Sequence, residues 1–287
     1  KIKNIAEMLK TRVEQGEELI VVVSAMGKTT DQLMENVSTL TSTPKDQELA
    51  LLLTTGEQQT VSYLSMVVTD ISVKAKAMTG YQAGIKTIGH HLKSKIAEIN
   101  PDTFNQAFEN NDVLVVAGFQ GINDEFELTT LGRGGSDTTA VALAASNQIP
   151  CVIYTDVDGV YATDPRILSH AKRLEYVSYE EMMEMSALGA GVLETRSVEL
   201  AKNYEIPLYL GRTLSNVKGT WIMSRSDLLE KKAVTGVALD THMMHVTISY
   251  PLPDNRLLTQ LFTELEEGSV NVDMISQIVN LEGLQLS

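Results

Sequence analysis

Leu131 to Asp137, Leu-Gly-Arg-Gly-Gly-Ser-Asp, is the stretch of this 287-residue chain whose residue types are best suited to chemistry. A glycine-rich turn that opens a helix exposes backbone N–H groups at the positive end of the helix dipole, and Arg133 sets a fixed fork of donors beside them. Such a turn can hold an anion. The same residues also make a plain tight turn, with Ser136 as helix cap and Asp137 in the first helical turn, and three glycines alone do not decide. The balance moves toward a ligand because other polar loops repeat the arrangement.

Leu19 to Val23 is a continuous apolar run that runs into Ser24-Ala25-Met26-Gly27-Lys28-Thr29-Thr30-Asp31. The Gly27-Lys28-Thr29 triplet invites comparison with a P-loop, but that motif needs a glycine five positions before the Gly-Lys pair, and Val22 stands there. Ligands in open α/β sheets collect outside the carboxyl ends of strands, so the hydroxyls of this loop suit a small polar substrate. Thr30 reads equally well as a helix N-cap. Thr54-Thr55-Gly56-Glu57 interrupts an apolar helix, which costs stability unless something is gained. Glu57 is therefore a candidate for a substrate ammonium group, against the plainer reading of a kinked surface turn. A third loop, Thr155 through Val157-Asp158-Gly159 and Tyr161 to Asp164-Pro165-Arg166, follows a strand with hydroxyl, carboxylate, glycine, aromatic and arginine groups that suit a nucleotide. Asp-Gly and Asp-Pro are also ordinary turn chemistry.

The elements that must position these loops alternate. Helices are expected at 2–13, 49–68, 101–110, 136–147, 179–188 and 198–204, and strands at 19–23, 73–77, 113–117, 152–154, 206–210 and 219–222. Alternation predicts a three-layer αβα fold on a mostly parallel sheet. Ser226 to Lys232 is charged and reads as a linker. Beyond it, strands at 234–239, 246–250 and 270–275 and an amphipathic helix at 256–267 predict a small, incomplete α+β region. The resulting division is 1–225, 226–232 and 233–287.

A net charge of -14 argues against nucleic-acid and anionic-membrane partners. The single cysteine, Cys151, heads an apolar strand and is expected to be buried, which fits a reducing compartment. With no apolar run of membrane-spanning length and no secretory signal pattern, the expected location is the cytoplasm. His90 and His91 stand in a polar stretch without carboxylates or cysteines at metal spacing and are expected in solvent.

Taken together, Val-Ser-Ala-Met-Gly from Val23, Thr-Gly-Glu from Thr55, Ala-Gly-Phe-Gln-Gly from Ala117, Thr-Leu-Gly-Arg-Gly-Gly-Ser-Asp from Thr130 and Thr-Asp-Val-Asp-Gly-Val-Tyr from Thr155 closely resemble the aspartokinases of the amino acid kinase family. Their order and spacing cover essentially the whole chain. The resemblance implies transfer of the ATP γ-phosphoryl group to the side-chain carboxylate of L-aspartate, the step that opens lysine, threonine and methionine synthesis. It places Ser24, Thr30, Glu57, Phe119, Arg133, Gly134, Gly135 and Ser136 at the aspartate. Thr155, Asp156, Tyr161, Asp164, Arg166, Gly191 and Val192 fall at the ATP, with Mg²⁺ on its phosphates. From about Ala233 the chain resembles the first part of an ACT regulatory region, implying lysine or threonine as effector and a homodimer or higher homo-oligomer.

Two departures bear on the chemistry. The family's N-terminal strand and glycine loop, Lys-Phe-Gly-Gly or similar, is expected upstream of Lys1, with the lysine that Asp137 would orient toward the transferred phosphoryl group; without it the chain is expected to be inactive. Where many relatives have Gly-Ala-Lys-Val-Leu, Gly189 to Leu193 carries Gly191, so contacts there fall to the backbone or to another cation such as Lys202. A carboxylate acceptor with a pKa near ~4 is already ionised at neutral pH, so no general base is required. The work left is positioning and charge stabilisation, with Arg133 clamping the substrate α-carboxylate. Related acid kinases acting on glutamate, acetylglutamate or carbamate, and a non-catalytic effector-binding subunit, are the alternatives. A nicotinamide enzyme is disfavoured because no Gly-x-Gly-x-x-Gly follows a strand.

Overall fold

The computed structural model describes residues 1–224, 234–239, 244, 246–250, 255–268, 270, 272, 275–280 and 283–286. The chain divides into two units, Lys1–Leu239 and Asp240–Ser287. In the first, α1 (Ile2–Glu14) leads to β1 (Leu19–Val23), followed by α2 (Thr29–Leu40), α3 (Asp46–Leu53) and α4 (Thr55–Asp70). Next come β2 (Ala75–Met78), β3 (Ile85–Ile88), β4 (Lys95–Ile99), α5 (Asp102–Phe108) and β5 (Val113–Ala117). Then β6 (Gln120–Ile122), β7 (Leu128–Thr130), α6 (Gly135–Asn147), β8 (Cys151–Thr155), β9 (Tyr176–Val177) and α7 (Tyr179–Met185) follow. The unit continues through α8 (Thr195–Asn203), β10 (Leu208–Arg212) and β11 (Thr220–Ile222).

The parallel sheet β1-β5-β2 is the frame of the site. All five residues of β5, Val-Leu-Val-Val-Ala, are buried, as a strand covered on both faces requires. Val113, Val115 and Ala117 meet Ala6 and Leu9 of α1 and Val61, Leu64 and Val68 of α4. Leu114 and Val116 face the other way, onto Phe104 of α5 and Leu143 of α6. Each buried valine, leucine or phenylalanine among these contributes about 1.5–3 kcal/mol.

A second sheet, β8-β10-β11-β9, pairs in parallel except at β10/β11. Its core takes Val141, Ala144 and Ala145 from α6, so that helix packs against both sheets at once. This explains its run of small and apolar residues: there is little exposed face to make polar. A third sheet, β4-β3-β6-β7, has antiparallel β3/β4 and β6/β7 pairs, which the sequence periodicity did not announce.

Several local expectations change. Thr54 marks the break between α3 and α4, but Glu57 lies in the first turn of α4 at 2% exposure rather than on a surface kink. Thr30 sits within α2 and does not cap it; Lys28 occupies that position. The helix expected to 188 ends its α-helical part at Met185 and continues as a π-turn over Ser186–Ala190. Both histidines have carboxylate partners supplied from distant segments: His90 Nε2 lies 3.2 Å from Asp46, and His91 Nε2 lies 2.7 Å from Glu127. Residues 234–239 form no strand; the Val237 N–H donates to the Ala162 carbonyl at 2.7 Å.

In the second unit, β12 (Ile248–Tyr250), α9 (Asn255–Glu267), β13 (Gln277–Asn280) and β14 (Gly283–Leu286) form an antiparallel β12-β14-β13 sheet and a helix. Leu258, Leu261, Phe262 and Leu265 give α9 its apolar spacing. The strand expected at 270–275 falls instead at β13, with Val270, Val272 and Ile275 outside any strand. The expected linker, 226–232, lies outside the described residues.

Candidate active site

Beyond the carboxyl ends of β1 and β5 the first unit opens into a cavity of about 280 Å³ lined by Ser24, Thr30, Glu57, Phe119, Gly132, Arg133, Gly134, Gly135, Ser136 and Asp137. All eight residues expected at the aspartate meet here, joined by Asp137 and by Gly132. The volume falls just below the roughly 300–1,000 Å³ of sites for drug-sized ligands, as suits a small metabolite.

The shape of the floor demands glycine at identifiable positions. Gly132 and Gly134 sit at φ +77° and +63°, in the left-handed region where a side chain is strained. A Cβ on Gly134 would lie 1.9 Å from Glu194 Cγ, and one on Gly135 would lie 2.8 Å from the Phe119 ring. Gly134 is the N-cap of α6, and no side chain caps that helix. The Ser136 hydroxyl therefore does not perform the capping role it had as an ordinary turn residue. Phe119 itself has φ +68°, an unusual backbone for an aromatic residue. It is held there by its N–H donating to Thr139 Oγ1 at 3.1 Å and its carbonyl accepting from Leu131 N–H at 2.9 Å.

Glu57 is the most informative wall residue. Its Oε1 accepts from the Ala25 N–H at 3.0 Å, fastening α4 to the loop after β1, while Oε2 is buried without a partner among the described residues. Burial pushes its pKa above the usual carboxylate range, opposed by backbone hydrogen bonds, first that from Ala25. An unpaired buried carboxylate oxygen costs free energy until a donor arrives. Gly56 permits the close approach, since a Cβ there would lie 2.9 Å from Ala25 Cβ.

Asp137, in the first turn of α6, makes no ion pair among the described residues, and burial with the nearby Glu194 charge raises its pKa to about 6. Arg133 is exposed at the rim. Both signs meet in one cavity: donors from Arg133 and the α6 N-terminus, and carboxylates from Glu57 and from Asp137.

The residues expected at the nucleotide are arranged differently. Thr155 ends β8, its Oγ1 donating to Asp156 Oδ1 at 3.1 Å. Tyr161 forms a single bridge to Arg173. Arg166 folds back on Asp164, 2.7 Å away, and keeps 88% of its side chain exposed. Gly191 has φ +55°, and Val192 packs against the second sheet's core. None of these lines the cavity. Lys202 is committed to Glu180, at 2.8 Å.

Sequence reasoning did not single out Thr139, Glu194 or Arg196, all of which touch the glycine loop or its neighbours. Cys151 is buried with its thiol pushed up to about 12, first by burial and then by the Asp137 charge, so it is an inert core residue. Among the described residues no helix is long and apolar enough to cross a membrane.

A family profile described as the amino acid kinase family matches residues 1–212. Aspartokinase 2 of Bacillus subtilis (strain 168) is 43% identical over 278 residues, 96% of this chain and 68% of that protein. Among solved structures, an aspartate kinase from Synechocystis matches with a TM-score of 0.69 at 34% identity, covering 99% of this chain and 49% of that one, about half its length. E. coli aspartokinase III, in complex with aspartate and ADP in its R-state, shares the fold with a TM-score of 0.68 at 23% identity, over 89% of this chain and 59% of that one.

Proposed function

This chain belongs to the amino acid kinase family, in its aspartokinase branch, and from that premise we propose that it transfers the γ-phosphoryl group of ATP to the side-chain carboxylate of L-aspartate, giving 4-phospho-L-aspartate. The observation that carries the reading is the cavity's mixed lining: Arg133 and a helix N-terminus share it with the buried, half-satisfied Glu57 carboxylate. An α-amino acid is a molecule with an anion and a cation on one carbon. Arg133 and the N–H group at Ser136 take its α-carboxylate, and Glu57 Oε2 takes its ammonium. That pairing supplies the missing hydrogen bond and removes the cost of an orphaned carboxylate. Ser24, Thr30 and Phe119 close the remaining wall and fix where the side-chain carboxylate points.

The acceptor needs no base, because it is ionised already. What it needs is to be held in line with the γ-phosphorus while like charges are offset, which is work for positioning and for cations. Asp137 is proposed to hold a cationic group at the transferring phosphoryl, in the family's pattern a lysine. Thr155, Asp156, Tyr161, Asp164, Arg166 and the backbone at Gly191 and Val192 are proposed to take the nucleotide. Magnesium is proposed to ride mainly on the ATP phosphates, because it keeps several waters and takes few protein ligands.

The same proposal makes residues 1–225 the catalytic domain, 226–232 a linker and 233–287 a partial ACT-like region responding to lysine or threonine in a homodimer or larger assembly. It places the enzyme in the cytoplasm at the head of lysine, threonine and methionine synthesis. A hydroxamate assay on the full-length enzyme with MgATP and aspartate, glutamate or acetylglutamate tests the substrate assignment. Aspartate is expected to be used at least tenfold more efficiently than either competitor; a preference for another acid rejects it.

A further inference from the structure

Arg196 lies in the first turn of α8, where a positive charge opposes the helix dipole. It is half-buried, and burial lowers its pKa, yet no carboxylate among the described residues pairs with it. Local electrostatics argue against a cation in this place. Its partners explain why it is there. Nη1 donates to the Leu131 carbonyl at 3.0 Å and Nη2 donates to the Ser94 carbonyl at 3.0 Å. The two carbonyls come from different segments, and the planar fork of a guanidinium spans them where a lysine ammonium, a point donor on a flexible stem, would not.

Leu131 is the root of the glycine loop. Two of its next three residues are glycines in left-handed conformations, so the loop has little intrinsic stiffness. From within, Leu131 N–H donates to the Phe119 carbonyl at 2.9 Å, and Gly135 N–H donates to the Gly132 carbonyl at 3.1 Å. Ser94 is tied to the end of β7, its hydroxyl donating to the Thr130 carbonyl at 2.9 Å. Two residues before Arg196, Glu194 packs against Gly134. The start of α8 thus braces the loop at both ends.

We propose that Arg196 is a positioning residue for the acceptor site, holding the loop at 131–135 in the shape that presents Arg133 and the first N–H groups of α6. Its kinetic consequence rests on the reading of the cavity as the aspartate site; its effect on the loop does not. Arg196→Lys keeps the charge without the fork, and Arg196→Gln keeps one amide donor without the charge.

The test is to measure both variants in the full-length enzyme, by hydrogen exchange of a peptide spanning residues 128–137 and by steady-state kinetics, beside Arg133→Ala. In both, loop amides are expected to exchange about tenfold faster. Aspartate KM is expected to rise about five- to twentyfold, with ATP KM within about twofold and kcat within about threefold. Full recovery in the lysine variant, unchanged loop exchange, or equal rises in both KM values would overturn the proposal. So would variants that fail to fold, since Arg196 would then be a structural residue. Faster loop exchange with aspartate KM unmoved also overturns it if Arg133→Ala raises that KM. If Arg133→Ala leaves aspartate KM unmoved as well, the positioning role stands and the aspartate assignment has failed.

Discussion

The acceptor cavity and the loop from Thr155 to Arg166 carry similar residue types, yet they hold their charges in opposite ways. In the cavity, burial pushes the pKa of Glu57 and Asp137 up, and neither carboxylate has a cation beside it among the described residues. On the loop, hydrogen bonds from Arg166 hold Asp164 below the usual carboxylate range, and Asp158 meets Arg212 at 2.9 Å. One region stores unmet electrostatic demand; the other has satisfied its own. A pre-formed pocket for a small zwitterion is expected to look like the first, because the ligand supplies the missing partners. A surface that must exchange internal pairs for phosphate contacts looks like the second.

The largest expected effect comes from removing the acceptor region's exposed cation. Arg133→Ala is expected to raise aspartate KM about ten- to a hundredfold or abolish turnover, with ATP KM nearly unchanged. Steady-state kinetics on the full-length enzyme check this. Unchanged aspartate kinetics would erase the contrast by taking Arg133 out of the pocket.

How much of this was readable in advance differs between the regions for physical reasons. The glycine loop and the parallel strands are local signals: Val113 to Ala117 is apolar throughout because both faces are covered, and Arg-Gly-Gly-Ser-Asp announces a turn into a helix. Glu57 was legible as a misfit in an apolar helix, although its burial was not, because the Ala25 N–H that secures it lies 32 residues away in sequence. Arg196 gave no signal, since its carbonyl acceptors belong to backbone that any residue could supply. The carboxylate partners of the two histidines were hidden for a related reason, lying outside local spacing, although His90 is largely exposed as expected. The apolar pattern at 270–275 set the strand several residues early, as short apolar runs constrain boundaries weakly.

A smaller effect sharpens the electrostatic half of the contrast. Asp137 has a folded-state pKa of about 6 against an ordinary value of 3.8. The folded chain therefore binds that proton more tightly than the unfolded one. The resulting stability is fully present below about pH 4 and is lost as pH rises through about 6. Asp137→Asn removes the penalty, so at pH 8 the variant is expected to be more stable than the parent by about 1–2 kcal/mol, a discount from the full shift for remaining solvent access. The difference should close on going to pH 4. Thermal denaturation of parent and variant across that range measures it, and a gap that widens at low pH would mean the wrong sign. Activity is expected to fall despite the gain in stability.

The smallest effect belongs to the satisfied region. Arg166 is largely exposed and already bonded to Asp164 through two nitrogens, so any phosphate contact it makes is a gain over an existing pair. Exposed pairs are worth little, and replacing one by another yields only their difference. Arg166→Ala is accordingly expected to raise ATP KM about three- to tenfold while leaving aspartate KM within twofold. Titrating MgATP at saturating aspartate measures the first, and the reverse titration the second. A hundredfold loss for ATP would show that the loop's internal pairs do not compete with the nucleotide, and the division between a pocket that waits for its ligand and a surface that must rearrange for it would no longer hold.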